Sequence, residues 1–148
     1  MEEVKISEKS ARGKKSRAAG QRFEVKVRQD LEKIDWIVSK WMNTVDYDRE
    51  GKTGKLVPAK RVYNPFMKAM TIGTGFPDFV CFKRNSDGNY EVIGLEVKSN
   101  GYLDKIEKGM SFWLLKNKIF SRILIAKKGN KKGEIEYIDF EERYEKEK

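Results

Sequence analysis

Two apolar segments separated by a helical pattern constrain the fold of this chain most strongly. Residues 90–97 carry apolar side chains at both even and odd positions, and residues 123–126 are apolar without interruption. Strands that are covered on both faces have this composition. The stretch between them has a stripe at helical spacing, made of Ile106, Met110, Trp113, Leu114 and Asn117. A helix joining two central strands predicts a parallel crossover in an α/β sheet.

Weaker patterns predict the elements on either side of this unit. A first helix is expected from about residue 16, because apolar residues recur at helical spacing at Phe23, Val27, Leu31 and Ile34. Strand-forming residues at 36–42 predict the first strand. The Asp-Gly turn in 84–89 predicts a hairpin between strands at 78–82 and 90–98. Residues 134–140 alternate as an edge strand does.

The length of 148 residues is typical of one domain with less ordered ends. We expect a disordered basic arm at 1–15, a single domain at 16–140 and a charged tail at 141–148. Within the domain, the glycines, prolines and lysines of 44–75 predict a long irregular insertion.

Charge and composition narrow the classes of function. The chain has 32 lysines and arginines against 23 acidic residues, a net charge of +9, which favours a polyanionic partner and nucleic acid first. Alternatively, the excess of basic residues belongs to a lysine-rich and glutamate-rich surface that keeps the protein soluble, or reflects a thermophilic source. Histidine is absent, which excludes Ser-His-Asp and Cys-His catalysis and histidine-bound zinc. With a lone cysteine, Cys81, and no apolar stretch near a membrane-spanning length, we expect a soluble cytoplasmic protein without membrane contact.

Asp78, Glu96 and Lys98 are the candidates for chemistry. Side chains alternate along a strand, so Glu96 and Lys98 point to the same face. Two carboxylates and a lysine that converge are able to hold a metal ion beside a phosphodiester. Alternatively, Asp78 caps a strand and Glu96 and Lys98 form a surface ion pair, but charge on a strand that looks central is costly unless it has a partner.

With Pro77-Asp78, Glu96-Val97-Lys98 and the helix and buried strand that follow, the chain resembles the PD-(D/E)XK nuclease superfamily. The resemblance implies an α/β, restriction-endonuclease-like fold with an αβββαβ core and a central mixed sheet flanked by helices. It is closest to the small Holliday-junction resolvases of archaea, in which a glutamate on the first helix completes the metal site; Glu24 matches it. Those resolvases have a serine or an arginine-serine pair just after the first strand, which residues 41–44 lack. They usually have a glutamine or a lysine on the second helix, where this chain offers Glu107 or Lys108 but no glutamine.

The resemblance also implies the cofactor and the roles of the residues. Mg²⁺, or Mn²⁺, would be bound by Glu24, Asp78, Glu96 and the carbonyl of Val97. Lys98 would complete the catalytic set as an orienting and electrostatic group, since a lysine of ordinary pKa is a poor base. No nucleotide cofactor is expected, because the glycine-rich segments near residues 51 and 73 lack the spacing of phosphate-binding loops.

A further set of basic and aromatic residues is expected to contact DNA, although each alone is more often an ordinary surface residue. The set is Arg12, Lys14, Arg17, Lys60, Arg61, Lys68, Tyr102, Lys105 and Lys108.

The sequence therefore predicts a Mg²⁺-dependent endodeoxyribonuclease that acts as a homodimer on DNA. Branched DNA, as in recombination and repair, is the first expected substrate. The alternatives are a catalytically silent DNA-binding module, and a nuclease subunit whose cleavage is sequence-specific or directed by a partner.

Overall fold

A computed structural model describes the backbone of residues 2–47, 54–59, 61–64, 68–72 and 75–147, and the side chains of 11–46, 54–59, 68 and 75–147. The helices are α1 (Glu2–Glu32), α2 (Lys105–Lys116) and α3 (Phe140–Tyr144). The strands are β1 (Ile37–Lys40), β2 (Asn43–Tyr47), β3 (Gly54–Pro58), β4 (Arg61–Asn64), β5 (Ala69–Ile72), β6 (Phe79–Arg84), β7 (Tyr90–Val97), β8 (Arg122–Lys128) and β9 (Ile135–Asp139).

A five-stranded mixed sheet organises these elements into an α/β fold. Its strand order is β1-β6-β7-β8-β9, with only β7 and β8 parallel. The predicted hairpin is confirmed as β6 and β7, and the predicted parallel crossover as β7-α2-β8. The edge strand is confirmed as β9. Because β7 lies at the centre, both of its faces are covered, as its apolar composition predicted.

Helix α1 covers one face of this sheet. Phe23, Val27 and Leu31 are buried, and they pack against alternate residues of β6 and β7 such as Cys81 and Leu95. Cys81 has no disulfide partner, and burial raises the pKa of its thiol to about 12, so it is an unreactive core residue.

Helices α2 and α3 cover the other face. Trp113 and Leu114 of α2 pack with Ile123 and Ile125 of β8, and α3 adds Phe140, which is fully buried. Neighbouring residues of β8 thus point to opposite cores, as residues of a strand must. The sequence predicts a charged tail at 141–148, but 140–147 form α3 and a short 3₁₀ helix, Glu145–Glu147, anchored by the buried Phe140.

Helix α1 differs from the sequence-based expectation at both of its ends. It begins at Glu2, so it includes most of the segment for which the sequence predicts disorder. It stops at Glu32, and Ile34, expected in its apolar stripe, lies in the following turn with 54% of its surface exposed. Asp35 has a positive φ of 71°, which ends the helical path before β1.

The segment 44–75 contains two small hairpins, β2-β3 and β4-β5, where the sequence predicts an irregular insertion. Short strands separated by glycine and proline lack the alternation that would have revealed them. The first hairpin is attached to the domain, since Val45 is buried in the α2 core and Thr44 contacts Met110.

No helix among the described residues combines the length and apolar character required to cross a membrane.

Candidate active site

Asp78 and Glu96 meet at the edge of the sheet where β7 ends. Asp78 immediately precedes β6, and the antiparallel register of β6 and β7 pairs Phe79 with Leu95. The backbone N–H of Asp78 donates to Oε1 of Glu96 at 3.2 Å, and the N–H of Val97 donates to Oδ2 of Asp78 at 2.8 Å. Each carboxyl group thus accepts a hydrogen bond from the backbone segment that carries the other carboxyl group. The positions of both groups are therefore set by the sheet and not by a loop.

Glu96 lies in an environment that opposes its ionisation. Only 4% of its surface is exposed. Burial is the main cause that raises its pKa strongly, and the adjacent carboxyl groups of Asp78 and Glu107 raise it further. A central strand holds such a costly group only where the surrounding structure compensates for it, and perturbed carboxyl groups of this kind cluster at functional sites.

Lys98 lies at the same edge and is held as a cation. Its ammonium group is 2.8 Å from the carboxylate of Glu107. Burial alone lowers the pKa of Lys98, but the hydrogen bond and charge of Glu107, together with the charge of Glu96, raise it overall. Lys98 is therefore a poor candidate for a general base, because a raised pKa keeps its ammonium group protonated.

Glu107 is fixed by the first turn of α2. Asp104 accepts a hydrogen bond from the backbone of Glu107 at 2.8 Å, and the Glu107 side chain accepts one from the backbone of Asp104 at 3.0 Å. This is a capping box, which begins the helix and immobilises the glutamate. The structure thus places Glu107, and not Lys108, beside the carboxyl pair.

Helix α1 brings Glu24 to the same region. Burial raises the pKa of Glu24, and the charge of Asp78 raises it further, while Lys40 lowers it. Lys40, at the end of β1, lies 3.7 Å from the Glu24 carboxylate. The four residues predicted to be catalytic therefore come from α1, the start of β6 and the end of β7, and converge at one edge of the sheet.

The donor set suits a hard divalent cation in its chemistry, since it consists of carboxylate oxygens. Nevertheless, no three acidic or cysteine side chains within the described parts of the chain are grouped as a metal site requires. Glu24 is instead directed to Lys40, and Glu107, although it is hydrogen-bonded to Glu96, is paired with Lys98. Asp78 and Glu96 are thus the two carboxyl groups close enough to form part of a metal site. Glu24 would have to leave Lys40 to become a third ligand.

The residues predicted to contact DNA are distributed over several surfaces. Arg12, Lys14 and Arg17 are exposed on α1, and Lys68, Tyr102 and Lys105 are exposed elsewhere. Lys108 is engaged by Glu147 at 3.2 Å and by the ring of Tyr144. Lys60 lies outside the described residues, and Arg61 is described only as part of the backbone of β4.

One residue at the site, Lys40, is not selected by the sequence pattern, and Glu107 is named there only as an alternative to Lys108. The signal for Glu107 is present in Asp104-Lys105-Ile106-Glu107, which has the spacing of a capping box just after the candidate strand. Lys40 gives no comparable signal, because its proximity to Glu24 depends on how α1 crosses β1.

Gly94 allows the Pro77-Asp78 segment to lie close to β7. A Cβ atom at Gly94 would lie 2.8 Å from Cγ of Pro77 and 3.0 Å from the ring of Phe120. We expect Gly94→Ala to lower the free energy of unfolding by about 2 kcal/mol through overpacking, as measured by urea denaturation.

Gly20→Ala is the matched control, since a Cβ atom at that position in α1 meets no atom within 4 Å. It should stabilise the helix by roughly 0.5–1 kcal/mol. A Gly94→Ala variant as stable as the wild type would show that Pro77 is not packed as described.

Comparisons of the chain with models of protein families, with curated proteins and with solved structures found no match.

Proposed function

We propose that the protein is a divalent-metal-dependent endodeoxyribonuclease of the restriction-endonuclease-like type, which hydrolyses phosphodiester bonds in DNA. The observation that carries the proposal is the contact between Asp78 and the buried Glu96 at the end of a central strand, with the ammonium group of Lys98 at the same edge. Two carboxylates and one cation at a single point match the resemblance found in the sequence. The net charge of +9 supports a polyanionic substrate.

Asp78, Glu96 and the carbonyl of Val97 would hold Mg²⁺ or Mn²⁺, with Glu24 bound directly or through water. The cation would stabilise charge on the phosphate and lower the pKa of the attacking water. Asp78, together with Glu96 once the ion has displaced its proton, would supply the negative charge that retains the ion. The sheet holds both residues through backbone hydrogen bonds, so their geometry is fixed before a substrate arrives.

Lys98 would neutralise a nonbridging phosphate oxygen and orient the attacking water. The carboxylate of Glu107 positions its ammonium group and keeps it protonated. Glu107 is therefore a positioning residue in this proposal.

We expect Glu107→Gln to lower the single-turnover cleavage rate about tenfold, because Lys98 loses its charged partner. Glutamine also serves in a capping box, so the melting temperature should change little. Glu136→Gln is the control, since Glu136 lies on β9 and its substitution removes an ion pair with Lys127 of β8. A Glu107→Gln enzyme that cleaves at the wild-type rate would exclude the positioning role.

Branched DNA such as a four-way junction is the first substrate to test, and a homodimer would place two sites against two strands. Labelled junction, flap and linear duplex are incubated with the protein in Mg²⁺, in Mn²⁺ and in a chelator. We expect metal-dependent cleavage that is fastest on the junction. Equal cleavage rates on all three substrates would support the proposed nuclease activity but contradict the proposed preference for junctions.

A catalytically silent DNA-binding module is the second candidate. The ion pair that directs Glu24 to Lys40, away from the carboxyl pair, favours it. Binding of all three substrates without cleavage in any divalent metal would support that module. A subunit whose cleavage is sequence-specific or directed by a partner would be recognised if cleavage appeared only with a specific site or a second protein.

A further inference from the structure

We propose that residues 11–22 of α1, the basic segment, extend past the candidate active site and lie along the phosphate backbone of bound nucleic acid. This inference rests on the proposed function, because it assigns a binding element to the same site.

The direction of α1 places the basic segment beside the active-site edge. Glu24 lies 3.7 Å from Lys40 at the end of β1, whereas Arg28 donates to the carbonyl of Val38 earlier in that strand. The helix therefore runs antiparallel to β1. Lys128, at the end of β8, lies over the ring of Phe23 at the same edge. Residues that precede Phe23 must continue beyond this edge of the sheet.

The length of the helix gives the basic segment its reach. At about 1.5 Å per residue, Arg12 lies roughly 17 Å beyond Phe23. The cations from Arg12 to Arg22 span about 15 Å, or four to five nucleotides at about 3.4 Å per step of one strand. The segment is therefore long enough to contact several successive phosphates next to the scissile bond.

The composition of the basic segment matches a polyanion. It contains no aspartate or glutamate, and none of its residues is buried. Its five cations are all exposed: Arg12, Lys14, Lys15, Arg17 and Arg22. Arginine and lysine on an exposed helix are the residue types that contact DNA phosphates.

The same composition argues against other partners. The only apolar side chains in the segment belong to alanines, Ala11, Ala18 and Ala19. A helix that packs on a protein groove needs large apolar anchors, and one that lies in a membrane surface needs an apolar face. The basic segment has neither, so charge is its means of binding.

The free segment is also a helix under electrostatic strain. Arg12 and Lys15, and Lys14 and Arg17, are like-charged pairs three residues apart, which destabilise a helix. Isolated helices of this length are marginal in water. Phosphates would relieve the repulsion, so DNA binding should increase helix content.

The test compares two variants that each lose four positive charges. The first replaces Arg12, Lys14, Lys15 and Arg17 with glutamine. The control replaces four exposed residues at the opposite edge of the sheet, Lys33, Arg84, Lys116 and Lys118, with glutamine. Affinity for a fluorescein-labelled DNA duplex is measured in a chelator, which prevents cleavage, at several KCl concentrations. Circular dichroism reports the helix content, and single-turnover cleavage is measured at saturating protein.

We expect the first variant to bind the duplex at least tenfold more weakly than the control. The slope of log K against log salt should become shallower by about 0.9 for each phosphate that the variant no longer neutralises. Its gain of helix signal on adding DNA should also be smaller.

Equal affinity and slope for the two variants on the DNA duplex would overturn the inference. It would also be overturned if the first variant bound vesicles of anionic lipid more weakly than the control but bound the duplex equally well. A cleavage rate lost at saturation, with binding intact, would also overturn it. Binding is measured without metal, so it does not depend on cleavage. A wild-type protein that never cleaves DNA would therefore contradict the proposed nuclease function, while the binding result could still be interpreted.

Discussion

Asp78→Asn is expected to lower the rate of DNA cleavage on the order of a thousandfold, a loss of about 4 kcal/mol of transition-state stabilisation. Asparagine keeps an oxygen able to accept the hydrogen bond from the N–H of Val97, so the fold at the end of β7 should persist. What would be lost is the negative charge that the proposed site needs to retain a divalent cation. Single-turnover cleavage of a labelled junction in Mg²⁺ measures the effect.

Asp87→Asn is the matched control for this substitution. Asp87 is exposed in the turn between β6 and β7, at the opposite edge of the sheet from Asp78. Its variant should cleave at the wild-type rate, and both variants should bind DNA comparably in a chelator. Cutting that survives Asp78→Asn would show that the site is misplaced.

Glu96→Gln should have two opposite effects. Cleavage should fall by about a thousandfold, because the second carboxylate of the pair is lost. Without metal, the variant should be more stable than the wild type, by roughly 2 kcal/mol at pH 8. Burial and the neighbouring carboxyl groups raise the pKa of Glu96 above its ordinary 4.5, whereas glutamine has no proton to lose.

The sign of the pH dependence follows from that raised pKa. Above about pH 4.5 Glu96 ionises readily in the unfolded chain, but it holds its proton in the folded protein. The wild type therefore loses stability as pH rises through this window, and the advantage of Glu96→Gln should grow with pH. Chemical denaturation at several pH values measures it, with Glu145→Gln, at an exposed position, as the control. A constant difference between wild type and Glu96→Gln would contradict the described environment.

The central part of the fold could be predicted because its signals are local and strong. The apolar composition of β7 and β8 reports that both faces are covered, and the Asp-Gly turn fixes the β6-β7 hairpin. The pairing of Asp78 with Glu96 then follows from hairpin register, in which residues at the start of one strand lie opposite the end of the other.

The remaining features depend on contacts that a local pattern does not contain. Strands β2 to β5 are short, and their pairing is set by which segments meet. The part of α1 before about residue 16 has no apolar stripe, so periodicity does not predict a helix there. Lys40 approaches Glu24 only because of the angle at which α1 crosses β1.

Anomalous diffraction from crystals grown with Mn²⁺ would locate the proposed cation directly. We expect a manganese peak about 2.1 Å from carboxylate oxygens of both Asp78 and Glu96, with Glu24 turned away from Lys40. A peak held only by other residues, or none at these carboxylates under saturating Mn²⁺, would contradict the proposed metal site and leave a DNA-binding module as the better description.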